Sequence, residues 1–136
     1  MSQSKNLHEA RRWLLTAQQD LQAAKSLSAN GFFAHACFLA QQVGEKAMKA
    51  LWYLNDREPW GHSIQLLVTE FPDASSFPNL DDWIQRAASL DRYNIPTRYP
   101  NGLPDLTPGE CYFLHDADSA IEQAGAFVEA AQKAIG

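Results

Sequence analysis

A chain of 136 residues with 46% hydrophobic and 20% charged residues is large enough for one globular core without metal or disulfide staples, and no apolar run in it reaches the length of a membrane span. The formal net charge of −5 argues against non-specific coating of nucleic acid, which needs a net basic face, although it leaves room for one local basic pocket. Cys37 and Cys111 are too few for a disulfide framework and "MSQSKNLHEARRW" has no apolar signal core, so the expected location is a reducing cytoplasm.

Ala10, Leu14, Ala17, Leu21, Ala24 and Leu27 recur at spacings of three and four, which predicts a first long helix with one apolar stripe. Asn30-Gly31 supplies a turn. A second helix follows in "FFAHACFLAQQVGEKAMKALWYL", where Phe33, Ala36, Ala40, Val43, Ala47 and Leu51 repeat the rhythm. Its alanines suggest close helix approach, and the short connection predicts an antiparallel hairpin. Pro59 and Gly61 end this helix, a short one follows in "HSIQLLVTEF" up to Pro72, and "PDASSFPNL" is a loop by composition. In "DDWIQRAASLDRY" the acidic first turn and the apolar Trp83, Ile84, Ala87, Ala88 and Leu90 predict another helix. Residues 94–107 carry Pro96, Pro100, Gly102 and Pro104 and cannot be regular. "TPGE" combines Thr107 as N-cap, Pro108 at the first helical position and Glu110 at the capping-box position. The last helix therefore starts there or a turn or two later, near Asp116, with a stripe of Ala117, Ala120, Ile121, Ala124, Phe127, Val128 and Ala131. Nothing alternates with period two. The expected fold is an all-α helical bundle of four main helices plus a short one, in a single domain over residues 1–136 without linker or repeat.

Few residues offer chemistry. His35 and Cys37 are two apart on a helix and point to different faces, and the carboxylates beside His115 are explained by the helix dipole, so no metal site is expected. There is no nucleophile elbow, no cysteine in a basic setting and no glycine-rich phosphate loop, so neither a catalytic residue nor a cofactor is assigned. Gln42, Glu45, Lys46 and Lys49 form a polar strip on the second helix, which is either a solvated face or a cleft wall where Lys46 or Lys49 meets an anion. His62 either caps the short helix or pairs with a carboxylate. The stretch "LDRYNIPTRYPNGLP", Leu90 to Pro104, repeats an Arg-Tyr pair at Arg92-Tyr93 and Arg98-Tyr99. Arg supplies a planar fork for phosphate and Tyr a stacking face, and two prolines restrict the loop that presents them. The same side chains also suit a long loop that caps helix carbonyls and packs on the bundle.

Taken together, "ARRWLLTAQQDLQAA", "ACFLAQQVGEKAMKAL", "GHSIQLL" and "LDRYNIPTRYPNGLP" resemble the HEPN domain family of prokaryotes and of the large eukaryotic chaperone-related protein sacsin, from about Glu9 to Val128. The resemblance implies an up-and-down helical bundle, commonly a homodimer, and an association with nucleotide binding (ATP or GTP) beside a minimal nucleotidyltransferase in toxin–antitoxin-like pairs. Position by position it implies nucleotide-binding roles for Lys46, Lys49, His62, Arg92, Tyr93, Arg98 and Tyr99, with Asp20 and Glu45 as further polar family positions. Ribonuclease branches of the family carry an Arg followed after four to six residues by a His near the start of the last long helix. Arg98 is followed by Tyr99-Pro100 and the next His is His115, too distant for that motif. Arg57 and His62 in "REPWGH" have the spacing but lie before the short helix. The expectation is a non-catalytic nucleotide binder, with a metal-independent ribonuclease toxin or a pure interaction module as alternatives.

Overall fold

The structure is a computed structural model that describes residues 3–136, the side chain of Ala74 excepted. Among these residues it contains helices and no strand. The helices are α1 (Gln3–Ala29), α2 (Phe33–Leu54), α3 (Ile64–Thr69), α4 (Leu80–Asp91), α5 (Pro108–Cys111) and α6 (Leu114–Ile135), with 3-10 turns at Ala74–Ser76 and Pro100–Gly102. Four of the helices are long and form the bundle. None is long and apolar enough to cross a membrane.

The stripe of α1 is buried at Ala10, Leu14, Ala17, Leu21 and Ala24, as its spacing predicts. The turn into α2 uses Gly31 at φ +83°, and the Asn30 amide donates back to the Ser26 carbonyl at 2.8 Å. Lys46 reaches Asp20 while Lys49 lies over Trp13, so numbers rise on α2 as they fall on α1 and the pair is antiparallel. Arg86 meets Gln123 while Trp83 meets Phe127, which makes α4 and α6 antiparallel as well. Cys37 lies near Asp116, and Gly44 lies against Phe127 further along, so α2 and α6 run in the same direction. The result is an up-down-up-down bundle with α3 inserted between its second and third members.

One sequence expectation needs correction. The apolar stripe of α2 is only part of its buried surface, because Cys37, Gln41, Gly44, Glu45, Met48 and Trp52 are buried too. The helix packs against α1 and α6 and is also crossed by α3 and α4, so almost no side remains for water. Gly44 marks the crossing: a Cβ there would stand 2.9 Å from both Ile64 Cδ1 and Leu90 Cδ1 and 3.6 Å from Phe127. From Phe127 an edge-to-face chain runs through Trp83, Phe77 and Phe71 to Trp52, with ring centroids 5.1–6.2 Å apart, and closes the core under the loop that precedes α4.

Both candidate starts for the last helix are used. Glu110 accepts from the Thr107 N–H and hydroxyl at 3.1 and 3.0 Å and closes the single turn of α5. Tyr112 and Phe113 are extended, and Asp116 then accepts from the Phe113 N–H at 2.8 Å to open α6.

Candidate functional site

The polar centre of the molecule is built around the start of α3. Ser63 is the N-cap, and its hydroxyl accepts from the Leu66 N–H at 3.2 Å. The other free N–H groups of this first turn are served from far away in sequence by Asp91, the last residue of α4. Its carboxylate accepts from Ile64 N–H at 2.8 Å, Gln65 N–H at 3.0 Å and the Ser63 hydroxyl at 3.1 Å. This fixes the loop carrying His62 against the origin of the Arg-Tyr stretch. Between them lies a shallow cavity of about 220 Å³ lined by His62, Ser63, Asp91 and Asn94. It is smaller than most ligand sites.

Beneath His62, α2 presents Glu45, only 6% exposed. One of its oxygens accepts from Lys49 Nζ at 2.9 Å and faces His62 Nδ1 at 3.2 Å. The other accepts from the Gln41 amide at 3.3 Å. Gln41 also approaches the His62 carbonyl at 3.5 Å and accepts from Gln42 at 2.8 Å. Burying a carboxylate is costly unless it is paired and hydrogen-bonded, and here Lys49 and Gln41 both donate to it. The solvated-face reading of this strip therefore fails at Glu45, because the α2–α3 loop folds over it. The His62 side chain is 78% exposed, so the buried carboxylate orients an imidazole whose outer edge faces water.

The other expected site residues fall in separate places. Lys46 is ion-paired to Asp20 of α1 at 2.5 Å, on the side of α2 that faces the Trp13 groove. Both lysines are thus matched to carboxylates. Arg98 has no carboxylate partner among the described residues. Its Nε donates to the Asn94 carbonyl at 2.8 Å and its Nη2 to the Asn94 side chain at 3.3 Å, while the guanidinium lies 4.6 Å from the Phe38 ring and 5.1 Å from Tyr99. Tyr99 is exposed, and Arg92 is exposed, its side chain making no hydrogen bond or ion pair among the described residues. Tyr93 turns inward instead. Its ring packs on Tyr112 at 6.0 Å, and Thr97 donates to its carbonyl. Burial first, and then the neighbouring Cys37, pushes its phenol up to about 12. Half-buried against the core, it supports the loop from below.

The α2 face from Phe38 through Gln41 and Glu45 to Lys49 links these places. Eleven residues separate Phe38 from Lys49, about 16 Å of helix. Arg98 and Lys49 therefore stand at opposite ends of the face and do not meet across one small anion. Arg57 and His62 are both exposed on the connection between α2 and α3, far in sequence from the start of α6. No group of three His, Cys, Asp or Glu side chains among the described residues is placed to hold a metal ion. Sequence reasoning missed Gln41, Asp91 and Asn94. Gln41 is four residues before Glu45 and so could have been included in the strip, but Asp91 has no local signal, since its partners lie 26 to 28 residues earlier.

The sequence matches the HEPN domain family over residues 10–134. Three solved structures share the arrangement. TT1696 from Thermus thermophilus is 34% identical, with 92% of this chain and 97% of that one covered and a TM-score of 0.87. ST0689, an archaeal HEPN homologue, is also 34% identical over 94% and 98% of the two chains, with a TM-score of 0.78. A HEPN domain protein from Thermotoga maritima is 26% identical over 90% and 96%, with a TM-score of 0.70. No curated protein matches the sequence. The chain belongs to the HEPN domain family.

Proposed function

We propose that this chain is a non-catalytic nucleotide-binding HEPN protein that works as a homodimer beside a minimal nucleotidyltransferase partner. One observation carries the reading. Arg98 is a guanidinium without a carboxylate, held between Phe38 and its own loop, next to the exposed ring of Tyr99. A fixed guanidinium beside a free aromatic face suits a phosphate and a base, and its rotamer is largely set before any ligand arrives. In this reading Arg98 and Arg92 take the phosphates of ATP or GTP and Tyr99 stacks on the base. His62 adds positive charge when protonated. Lys49, Glu45, Lys46 and Asp20 hold the scaffold, because each lysine already has its counter-ion. Ile95, Tyr99, Leu106 and Phe113, exposed between α4 and α6, and Leu114, exposed at the start of α6, offer apolar surface for self-association or for the partner.

Calorimetry with ATP and with GTP tests this. Charge-assisted hydrogen bonds contribute about 1.5–3 kcal/mol each, so Arg98→Ala weakens binding roughly ten- to a hundredfold. Absence of heat at about millimolar nucleotide refutes the proposal.

A second reading, a metal-independent ribonuclease, is favoured by one feature: the buried Glu45 carboxylate stands 3.2 Å from Nδ1 of the exposed His62, an arrangement suited to proton transfer. RNA cleavage abolished by His62→Ala, with nucleotide binding retained, would replace the first reading with this one. RNA that stays intact after long incubation with the protein disposes of it.

A further inference from the structure

A second concave surface lies away from the Arg-Tyr loop, between α4 and α6 and beneath residues 76–78. The groove measures about 510 Å³, within the range of small-molecule sites. Ala126, Ala130, Ala134 and Pro78 line it with apolar surface, and Trp83 and Arg86 stand on the α4 side. Arg86 is the unusual member. It lies 5.1 Å from the Trp83 indole and, like Arg92 and Arg98, has no carboxylate within ion-pair range, but unlike those two exposed residues it is half-buried. Its Nη1 donates to Gln123 at 2.8 Å. Its Nε is sealed from solvent without any hydrogen-bond partner.

The pattern of donors has a chemical meaning. With Nη1 occupied, the Nε–Nη2 edge remains, and this is an edge on which a guanidinium takes a carboxylate through two parallel bonds. A buried donor left unpaired is destabilising, so an arriving acceptor removes a penalty as well as adding an interaction. Lys133 on the rim is paired only with the exposed Glu129, at 3.2 Å, and adds positive potential there.

We propose that the α4–α6 groove binds an organic monocarboxylate with a compact apolar body, the carboxylate on the Nε–Nη2 edge of Arg86 and the body over Ala126, Ala130 and Ala134. Because Nε lies below the reach of water, entry requires the guanidinium to lift slightly from its stack on Trp83. This is a side-chain adjustment that leaves the helices in place. The site is independent of the nucleotide site proposed above and stands or falls separately.

The test is a nuclear magnetic resonance titration of the ¹⁵N-labelled full chain with 3-phenylpropanoate and, in parallel, with its neutral amide. Saturable shifts at the Trp83 indole N–H and at amides of residues 83–86 and 126–134 are expected, with the amide binding roughly ten- to a hundredfold more weakly. Arg86→Gln is expected to lower acid affinity to that of the amide. Ala130→Leu, which fills the groove and leaves Arg86 intact, is expected to abolish both, and a thermal melt of each variant verifies folding. Equal binding of acid and amide overturns the proposal. So do unchanged acid affinity in folded Arg86→Gln, shifts confined to other surfaces, and no shift at about 10 mM ligand.

Discussion

Replacing Asp91 with alanine removes three hydrogen bonds that join the end of α4 to the beginning of α3: those from Ile64 N–H, Gln65 N–H and the Ser63 hydroxyl. The loss of one helix cap costs about 0.5–2 kcal/mol, and hydrogen bonds to a charged group contribute about 1.5–3 kcal/mol where nothing replaces them. Water takes over at the exposed Gln65 but reaches the N–H of the buried Ile64 poorly, so the net cost of Asp91→Ala is about 2–3 kcal/mol. For a chain of this length each kcal/mol moves Tm by about 3–5 °C, which places the fall at about 6–15 °C. Asp91→Asn keeps one acceptor oxygen. Since one carboxylate oxygen serves Ile64 and the other serves Ser63 and Gln65, the Asn variant is expected to lose about half as much. Thermal and urea melts followed by far-ultraviolet circular dichroism read both values. A Tm for Asp91→Ala within about 2 °C of the parent, or an Asn variant no better than the Ala variant, would refute the reasoning.

Lys49→Met strands the Glu45 carboxylate in its buried setting and is expected to cost about 2–4 kcal/mol, whereas Lys46→Met opens the more exposed pair with Asp20 and is expected to cost under about 1 kcal/mol. Urea midpoints in the reverse order would contradict this. Gly44→Val drives two methyl groups toward Ile64 and Leu90, both fully buried, and is expected to destabilise by about 2–3 kcal/mol in the same melts. Burial pushes the Cys37 thiol and the Tyr93 phenol each up to about 12, so both hold their protons more tightly folded than unfolded. Stability is therefore complete below about pH 9 and falls as pH rises toward 12, by at most about 1.4 kcal/mol per pH unit for each group, and Cys37→Ala is expected to flatten that slope in urea melts repeated up the pH range.

The bundle was legible because α1 and α6 each bury one regular stripe, and the spacing of Ala and Leu is the physical cause of that burial. Helix α2 was legible only in part. Periodicity records which positions can face a partner, and it does not count the partners, so a helix packed on nearly all sides still displays a single best stripe. Glu45 illustrates the consequence. Its spacing to Lys49 reads as a surface pair, and only the return of the chain at His62 makes it buried. The Arg-Tyr doublet divided in a way spacing cannot foresee: Tyr93 enters the core beside Tyr112, whereas Tyr99, six residues later in a turn, stays in water. Asn94 holding Arg98 is a local contact four residues apart and was within reach of turn chemistry. Asp91 was not, because a cap supplied across 27 residues leaves no trace in its own neighbourhood.

Asp91 also connects the fold to the proposed ligand site, since it is followed at once by Arg92 and, one turn on, by the Asn94 that holds Arg98. Two consequences of its loss can be separated. If the Arg-Tyr loop takes its shape from the junction with α3, then Asp91→Asn weakens nucleotide binding in proportion to its lost stability, because the guanidinium is no longer presented in one orientation. If the loop is shaped by its own turn, by Thr97 donating to Tyr93 and by the seat of Arg98 on Phe38, then affinity survives while Tm falls. The inward packing of Tyr93 on Tyr112 anchors the loop independently of Asp91 and favours the second outcome. The expectation is an Asp91→Asn protein with a lower melting temperature and a nucleotide Kd within about threefold of the parent, and a Tyr93→Ala protein that loses both.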